Sequence, residues 1–538
     1  MRKIRYVNYY LALFALLVLA SCSSKKSDPG LLMPKETGML TTINMGSMHE
    51  KGKLAEFNKT QMFAKANGFI SMMDPKMGKI VNQIVNDASQ TGIDIKGDMN
   101  FFIDKSASQT GLILPMKDQA KFLTFVKSVS ADYGVKGEPE KIDDYLAVVK
   151  EGALVAWNAD YFILYGSMTS PDPNSLKAGF KKLINQKPEE SFSSQEAYKK
   201  FMAGKKDISV YVDMDMYFNS INKLAGMTGQ QANMNGLAEL MKGCAVTYNA
   251  EFVNDEINVT YATELSDKMK KMFDLNKISK SPISDKLLKI VPANAIAVMT
   301  GGVNVSEAVK GYKELFKAMQ GDIQNNPKTA EFNQIFAAIE PVMDKFDGEM
   351  IFSLNDFKTA DKIANSDMNF ELPAPAPVIT VGLGVSDESA FDAILKNPEL
   401  KLKESKGAYV LEAGEFNFFV VLKNKMLVVS SDPNIAEYVE KGECPNNLTA
   451  SPYKAQLLKG NFGYFNLNFQ TYPELTKQTI ASNQFVKPIM DKMDIFEAIT
   501  FEADVKNCLG KGKIQLKKTN TNSFYAMIQM IDKIVAAN

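Results

Sequence analysis

Ser451-Pro452-Tyr453-Lys454 is the nearest this chain comes to a nucleophile beside a base. A Ser-x-x-Lys spacing places hydroxyl and amine on one helical face, as in serine acylases. The Lys-Thr-Gly and Ser-Asp-Asn partners of that set are absent. Pro452 instead suits the first helical position behind a Ser451 N-cap, and the related stretch Ser193 to Lys199 reads as a capping box from Ser193 to Glu196. His49 is the only histidine. It has no second imidazole for a zinc site and no Gly-x-Ser-x-Gly elbow to activate, so it reads as a polar residue near the start of a helix. Asp213-Met214-Asp215 opens like a calcium loop, but Phe218 stands where that loop requires glycine, and an N-cap role fits better. Gly382-Leu383-Gly384 lacks the third glycine and the long helix of a dinucleotide fingerprint. Acidic pairs such as Asp143 and Asp144 leave a carboxylate-only hydrolase open, since glycoside-type chemistry needs no histidine. No catalytic, cofactor-binding or metal-binding residue is assigned. A non-enzymatic role is expected.

The positioning elements begin with the N-terminus. Arg2, Lys3 and Arg5, the apolar run Leu11 to Leu19 and the small residues before Cys22 form the three parts of a signal peptide over residues 1–21. An apolar run of about nine residues rises only about 14 Å as a helix, roughly half a hydrocarbon core, so it is no permanent span. Leu19-Ala20-Ser21-Cys22 is the cysteine context of bacterial lipoproteins, and this resemblance implies that Cys22 becomes a mature N-terminus carrying acyl chains such as palmitate. Each buried methylene adds about 0.8 kcal/mol of membrane affinity. Residues 22–32 then read as a lipidated, solvated tether outside the fold.

Some 500 residues remain, more than one core usually organises. Lys plus Arg and Asp plus Glu number 62 each, so no net field draws nucleic acid, and no nucleic-acid partner is expected. Cys244, Cys444 and Cys508 are an odd set, and a chain this long needs no disulfide framework. The 30 methionines read first as core filling, then as the lining of an adaptable apolar groove, and last as Cu(I) ligands.

The chain repeats at an offset of roughly 250–260 residues. Met33-Pro34-Lys35-Glu36 with Met39 to Thr42 answers Val291-Pro292-Ala293-Asn294 with Ala297 to Thr300. Gly97 to Phe102 answers Gly348 to Ser353, and Val246 to Glu251 answers Ile499 to Asp504. Similarities in one order at one offset argue for domain duplication, with halves at 33–285 and 286–538. Ala295 to Thr300 reads as a strand, and Glu307 to Met319 and Ala330 to Met343 as helices. Short gaps join Ala408 to Glu412, Asn417 to Leu422 and Met426 to Val429 into an antiparallel meander, echoed by Tyr145 to Tyr165 with a turn at Asn158-Ala159-Asp160. The expected class is α+β, each half a mainly antiparallel sheet with packed helices. The halves differ most at Asp356 to Pro377, a Pro-rich segment that reads as a surface insertion, or as a partner epitope or lid.

The lipoprotein-type cysteine, the short Ser-Lys tether, the opening Met33 to Leu40 and its echo Val291 to Val298 together resemble uncharacterised lipoproteins of Bacteroides-type bacteria, the domain-of-unknown-function family 4836. That resemblance implies an outer-membrane address through lipid on Cys22. Surface display in that group goes with acidic residues after the cysteine, whereas Ser23-Ser24-Lys25-Lys26 stands here. The periplasmic face is therefore expected, with surface exposure as the alternative. The expected role is a non-catalytic binding or assembly module for another envelope component. The alternative is a carrier for a lipid or other apolar ligand.

Overall fold

Residues alternating between two faces of an extended backbone dictate most of the architecture, and in places such as Leu112 to Leu114 both alternations are apolar and buried. A computed structural model of the chain describes residues 28–106, 108–132, 138–150, 152–167, 172–227, 235–280, 282–323, 340–359, 375–395, 402–405, 407–413, 416–472, 474, 476–478 and 494–537. The signal peptide and Cys22 lie outside the described residues, as do positions 330–339 of the helix expected over Ala330 to Met343. The chain divides into two compact units, one of Met1–Gln231, Met241–Glu264 and Lys518–Asn538, the other of Ala232–Leu240 and Leu265–Lys517.

Among the described residues the first unit carries β1 (Thr37–Asn44), β2 (Asp98–Asp104), β3 (Gln109–Pro115), β4 (Glu140–Ile142), β5 (Tyr145–Lys150), β6 (Ala153–Trp157), β7 (Tyr161–Ser167), β8 (Ile208–Asp213), β9 (Ala245–Val253) and β10 (Glu256–Glu264). They lie in the order β4-β5-β6-β7-β3-β2-β1-β8-β9-β10, each neighbour antiparallel. The second unit carries β11 (Ala297–Gly302), β12 (Phe346–Thr359), β13 (Pro375–Val385), β14 (Lys403–Ser405), β15 (Ala408–Ala413), β16 (Phe416–Lys423), β17 (Met426–Ser430), β18 (Phe462–Asn466), β19 (Phe496–Asp504) and β20 (Leu509–Leu516). Their order is β14-β15-β16-β17-β13-β12-β11-β18-β19-β20, again antiparallel throughout. The α+β class and the meander thus stand. The two units share one strand order.

Helices cover the sheet of the first unit on both faces. On one, Leu40, Phe102, Ile113 and Tyr165 pack with Leu176, Phe180 and Leu183 of the helix Pro173–Ile184 and with Tyr198 and Phe201 of the helix Glu196–Gly204. On the other, Met99, Leu112 and Leu114 pack under Met45 of α1 (Met45–Lys51), Ile80 and Ile84 of α2 (Pro75–Asn86), and Phe122 of α3 (Gln119–Asp132). The helix α2 starts where Asp74 accepts the N–H groups of Lys76 and Met77 and Pro75 takes the first turn. In the second unit one face is closed by Leu287, Leu288, Ile290, Ile435 and Leu457 against Val298, Ile351 and Val428. No helix among the described residues is long and apolar enough to cross a membrane.

Three expectations change. The tether ends earlier than Leu32: Pro29–Leu32 is a short 3-10 helix with Gly30 and Leu32 buried, Tyr198 donates to Asp28, and Gln186 Nε2 holds the carbonyls of Leu31 and Met33 at 2.7 and 2.9 Å. Leu32 is buried in the first core, which removes its apolar surface from water, whereas a solvated tether would leave it exposed. The Asp356 to Pro377 segment is not wholly an insertion. Its described ends continue the ladder, with Phe357 opposite Pro377 and Thr359 opposite Pro375. Finally, the division near residue 285 is crossed by the last helix, Ser523–Ala537 (α4), which belongs to the first unit.

That return is built from several contacts. Phe524 packs on Phe252 with ring centroids 5.2 Å apart, Ile528 joins Leu54 in a core, and Asp532 accepts the Met62 N–H at 2.7 Å. Asp255, at φ 58° in the β9–β10 turn, accepts the N–H groups of Thr519, Asn520 and Thr521 at 2.9–3.3 Å. Burial pushes its carboxyl up, but these donors outweigh that and hold it below the usual aspartate range. A lowered folded-state pKa adds stability above the unfolded value and loses it as pH falls through the folded one. Deleting Lys518–Asn538 is therefore expected to raise hydrogen exchange in the helix Gln61–Met73 and in β9 while β11 and β12 stay protected. Asp255→Asn should bring a milder form of the same change, and acidification below the ordinary aspartate pKa should mimic it in the unmutated chain.

Candidate functional site

Cys22 lies outside the described residues, and the structure separates most of the other candidates from the sequence. Ser451 and Lys454 do not share a helical face. The helix expected to begin at Pro452 begins at Lys454, so Ser451 precedes it, buried, with its hydroxyl accepting the Tyr453 N–H at 3.2 Å. Lys454 is exposed. Ser193 likewise sits inside a 3-10 turn, Phe192–Ser194. The helix after it starts at Glu196 with no side-chain cap from its N-cap residue, so the expected capping box is absent. In both places a 3-10 turn takes up the chain that sequence spacing assigns to the first helical turn.

Asp213 and Asp215 diverge as well. Asp213 Oδ1 accepts the Met216 N–H at 3.2 Å, a helix cap, and Oδ2 meets Lys105 Nζ at 2.9 Å. Asp215 accepts from Asn219 Nδ2 at 2.7 Å. Burial pulls the Lys105 ammonium down, but the hydrogen bond and charge of Asp213, with Glu36 and Asp215, lift it above the usual lysine value. In the second unit Asn468 caps the equivalent turn by accepting the Gln470 N–H at 3.2 Å. Gly382 and Gly384 lie in β13, where a Cβ would strike Ile351 in one case and the Asp347 carboxylate in the other. They serve close packing. Asp143 occupies the tight turn between β4 and β5 at φ 50° and accepts from Asn185 Nδ2 at 2.7 Å.

His49 borders a cleft of about 230 Å³ with Val85, Asp87, Ser89, Ile93 and Lys117. The one carboxylate there is committed: Asp87 accepts from the Ser89 hydroxyl at 2.6 Å and from Gln90 Nε2 at 3.0 Å. Chiefly those two bonds hold it below the usual aspartate range, so it is ionised and a poor general acid at neutral pH. Among the described residues no three His, Cys, Asp or Glu side chains converge for a metal ion. Cys244, Cys444 and Cys508 carry thiols and no disulfide. Burial pushes the Cys444 thiol up to about 11.

Sequence reasoning misses one surface of the second unit. Met299 pairs with Phe352 across β11 and β12, and with Gly463 across β11 and β18. Gly463 pairs in turn with Phe501 of β19. Directly opposed residues in an antiparallel pair point to one face, so Phe352, Met299 and Phe501 form one transverse row. Met350, opposite Gly301, and Phe465, opposite Ala297, flank it on that same face. Glycine makes the row flat, because a Cβ on Gly463 would enter the Phe501 ring and one on Gly301 would meet Met350 Sδ. All five large side chains are 38–46% exposed. A signal is present in sequence: Met350-Ile351-Phe352 is apolar on both alternations, which reads as a strand covered on both sides. The methionines divide accordingly. Met33, Met45, Met99 and Met426 fill cores, while Met299 and Met350 lie open.

Among the described residues this geometry offers apolar contact area, and the sequence's candidate reactive groups are held apart. One consequence concerns the thiols. At pH 8 only about one in a thousand Cys444 side chains is ionised if its pKa is near 11, and the residue is buried. Iodoacetamide on the folded protein should therefore label the half-buried Cys508 first and Cys444 only after unfolding, as read by peptide mass spectrometry.

Comparison with known proteins gives a family and a weak structural likeness. The family model described as "Domain of unknown function (DUF4836)" matches residues 31–524. No curated protein matches. Among solved structures, crystal form I of TP0453 is similar at a TM-score of 0.25 and 10% identity, over 46% of this chain and 81% of that one. Crystal form III of TP0453 gives a TM-score of 0.23 and 9% identity, over 48% and 90%.

Proposed function

We propose, on the premise that the chain belongs to the DUF4836 family, that it is a lipid-anchored envelope protein, a non-catalytic module that binds or assembles with another envelope component. The observation that carries the binding role is the open row Phe352, Met299 and Phe501 with Met350 and Phe465 beside it. The largest exposed apolar patch on a soluble fold is often functional. The commitment of Asp87, Asp213 and Ser451 to caps and ion pairs supports a role without catalysis.

The anchor rests on Leu19-Ala20-Ser21-Cys22 behind an apolar run too short to span. Asp28 is held by Tyr198, so only residues 23–27 separate an acylated Cys22 from the first unit. Six residue steps reach at most roughly 20 Å, which would keep that unit near the membrane surface. Outer-membrane attachment facing the periplasm is the address we favour, from the Ser-Lys composition after the cysteine. A second reading, a carrier of lipid or another apolar ligand, is favoured by the adaptable thioethers of Met299 and Met350 on the open face.

The anchor is tested by labelling cells that make the protein with an alkynyl fatty acid. The unmutated chain should carry label and sediment with membranes. Cys22→Ala should lose the label and remain unprocessed, and a labelled Cys22→Ala protein would end the proposal. Native mass spectrometry of the purified protein separates the two binding readings: a reproducible apolar ligand favours the carrier, and a bare mass favours the assembly module.

A further inference from the structure

In the first unit the helix Gln61–Met73 lies against α2, and it buries one stripe there: Phe63 and Ile70 pack with Met77, Val81 and Val85. A surface helix needs one apolar stripe. This helix carries further apolar residues at its C-terminal end, where Phe69, Met72 and Met73 are 64%, 86% and 64% exposed. They are the most exposed large apolar side chains among the described residues, and they fall within five positions, just before the Asp74–Pro75 turn. The charge around them is one-sided. From Lys59 to Asn86 the chain has four lysines, Lys59, Lys65, Lys76 and Lys79, and one carboxylate, Asp74. Asp74 is held at the positive end of α2, accepting the N–H groups of Lys76 and Met77 at 2.9 and 3.1 Å. Lys65, one turn before Phe69, reaches the Val535 carbonyl of α4 at 2.7 Å, a neutral acceptor that leaves its charge in place. Asp532 of α4 is spent on the Met62 N–H, at the other end of the helix.

We infer that this tip is a membrane-contact element: Phe69, Met72 and Met73 enter the interface of a bilayer containing anionic lipid, with Lys65, Lys76 and Lys79 at its headgroups. The inference rests on the anchored reading above, which supplies the bilayer, and gives the first unit a second attachment to it. Two observations select a lipid surface. The local excess of lysine matches the sign of anionic headgroups, in a chain whose charges otherwise balance. The chain outside the fold is also short: with only residues 23–27 between Asp28 and an acylated Cys22, the unit that bears the tip stays within roughly 20 Å of its anchor point. Rotation about that tether is then enough to bring the tip down. Lysine stems are long enough to keep their ammonium groups among phosphates while neighbouring apolar side chains go deeper, and unbranched methionines adapt to a fluid surface.

The test uses residues 23–538 made without lipid, a chain that keeps every described residue, and vesicles of phosphatidylcholine with or without phosphatidylglycerol. The chain should sediment with the mixed vesicles and bind phosphatidylcholine alone about tenfold more weakly. The triple variant Phe69→Ser, Met72→Ser, Met73→Ser should bind the mixed vesicles about tenfold more weakly than the unmutated chain. Its thermal midpoint should be unchanged, because side chains this open carry little of the fold. If the triple variant proves unstable, Met72→Ser alone carries the comparison. Phe69→Trp adds a depth reporter, since the chain's one tryptophan, Trp157, is wholly buried. Its emission should be quenched by brominated lipid, and that of the unmutated chain should not. Absence of sedimentation, equal binding to both kinds of vesicle, undiminished binding of the triple variant or unquenched emission from Phe69→Trp overturns the inference. So does a dimer in lipid-free solution that the serine substitutions dissolve, which would give the tip to a second copy. No acyl chain takes part, so this result is separate from the fatty-acid labelling. Vesicle binding here without label there removes the anchor and keeps the tip, and label without vesicle binding does the reverse.

Discussion

An antiparallel ladder satisfies its backbone groups by pairing strand with strand, and in doing so it creates two faces that must each be kept from water. The rest of the molecule reflects how much chain is spent on each face. In the first unit β1 sits between β2 and β8, with Leu40 on one side and Met39, Thr41 and Ile43 on the other. Leu40 is buried in the core around Phe180 and Tyr198, while the other side, packed around Ile84 and Phe122, leaves Met39, Thr41 and Ile43 half-buried. A sheet buried on both faces loses few side chains to solvent, so its strands read as apolar runs without alternation. The same runs recur in β11 and β12, where one face stays partly open. The sequence pattern of a doubly covered sheet is therefore present at a place where, among the described residues, one face is closed and the other leaves Met299, Met350 and Phe352 about two-fifths exposed.

The closed faces also differ between the units. Phe102, Gly111 and Tyr165 lie in register in the first unit. The matching row in the second is Ser353, Thr380 and Ser430, with Thr380 Oγ1 and Ser430 Oγ 2.8 Å apart and Asn355 Nδ2 donating to Thr380 at 3.1 Å. Two aromatic rings give way to a hydroxyl ladder, with Ser353 wholly buried and its Oγ without a protein partner. An unmade bond of that kind costs about 1–3 kcal/mol. In this row the second unit is thus less apolar than the first, and on the other face its Met350 is open where Met99 is covered. Equal topology has been filled with different chemistry.

How much of the fold is legible in the sequence depends on range. The hairpins β5–β6–β7 and β15–β16–β17 are readable because their turns are short and local, as at Asn158, whose Oδ1 accepts the N–H groups of Asp160 and Tyr161 at 2.9 Å. The shared strand order of the two units has a counterpart in sequence, where segments such as Gly97 to Phe102 and Gly348 to Ser353 recur in order. Helix starts near Ser193 and Ser451 mislead, since a 3-10 turn and an α-helical first turn share their capping residues. The return of the last helix to the first unit is invisible, because nothing in Ser523–Ala537 states which apolar surface Phe524 and Ile528 will meet. The open face is hidden for a related reason. Exposure belongs to what lies over a strand, and Met299 or Phe501 would read the same under a helix.

Charge adds the last constraint. Lys51 and Asp207 meet at 2.6 Å, with Ser47 Oγ and the Phe252 N–H completing that buried carboxylate, and Lys286 meets Asp347 at 2.6 Å. Opposite charges are consumed locally in this way, and the chain as a whole is balanced. A chain whose opposite charges are nearly balanced offers little net field by which to gather a partner from bulk solution. Recognition through an apolar face then depends on contact after encounter, with little dependence on salt, and gains most when diffusion is confined to two dimensions. The lipid proposed on Cys22 would supply that confinement. The anchor and the open face are thus complementary parts of one proposal, the first raising the rate of encounter and the second giving the encounter its lifetime.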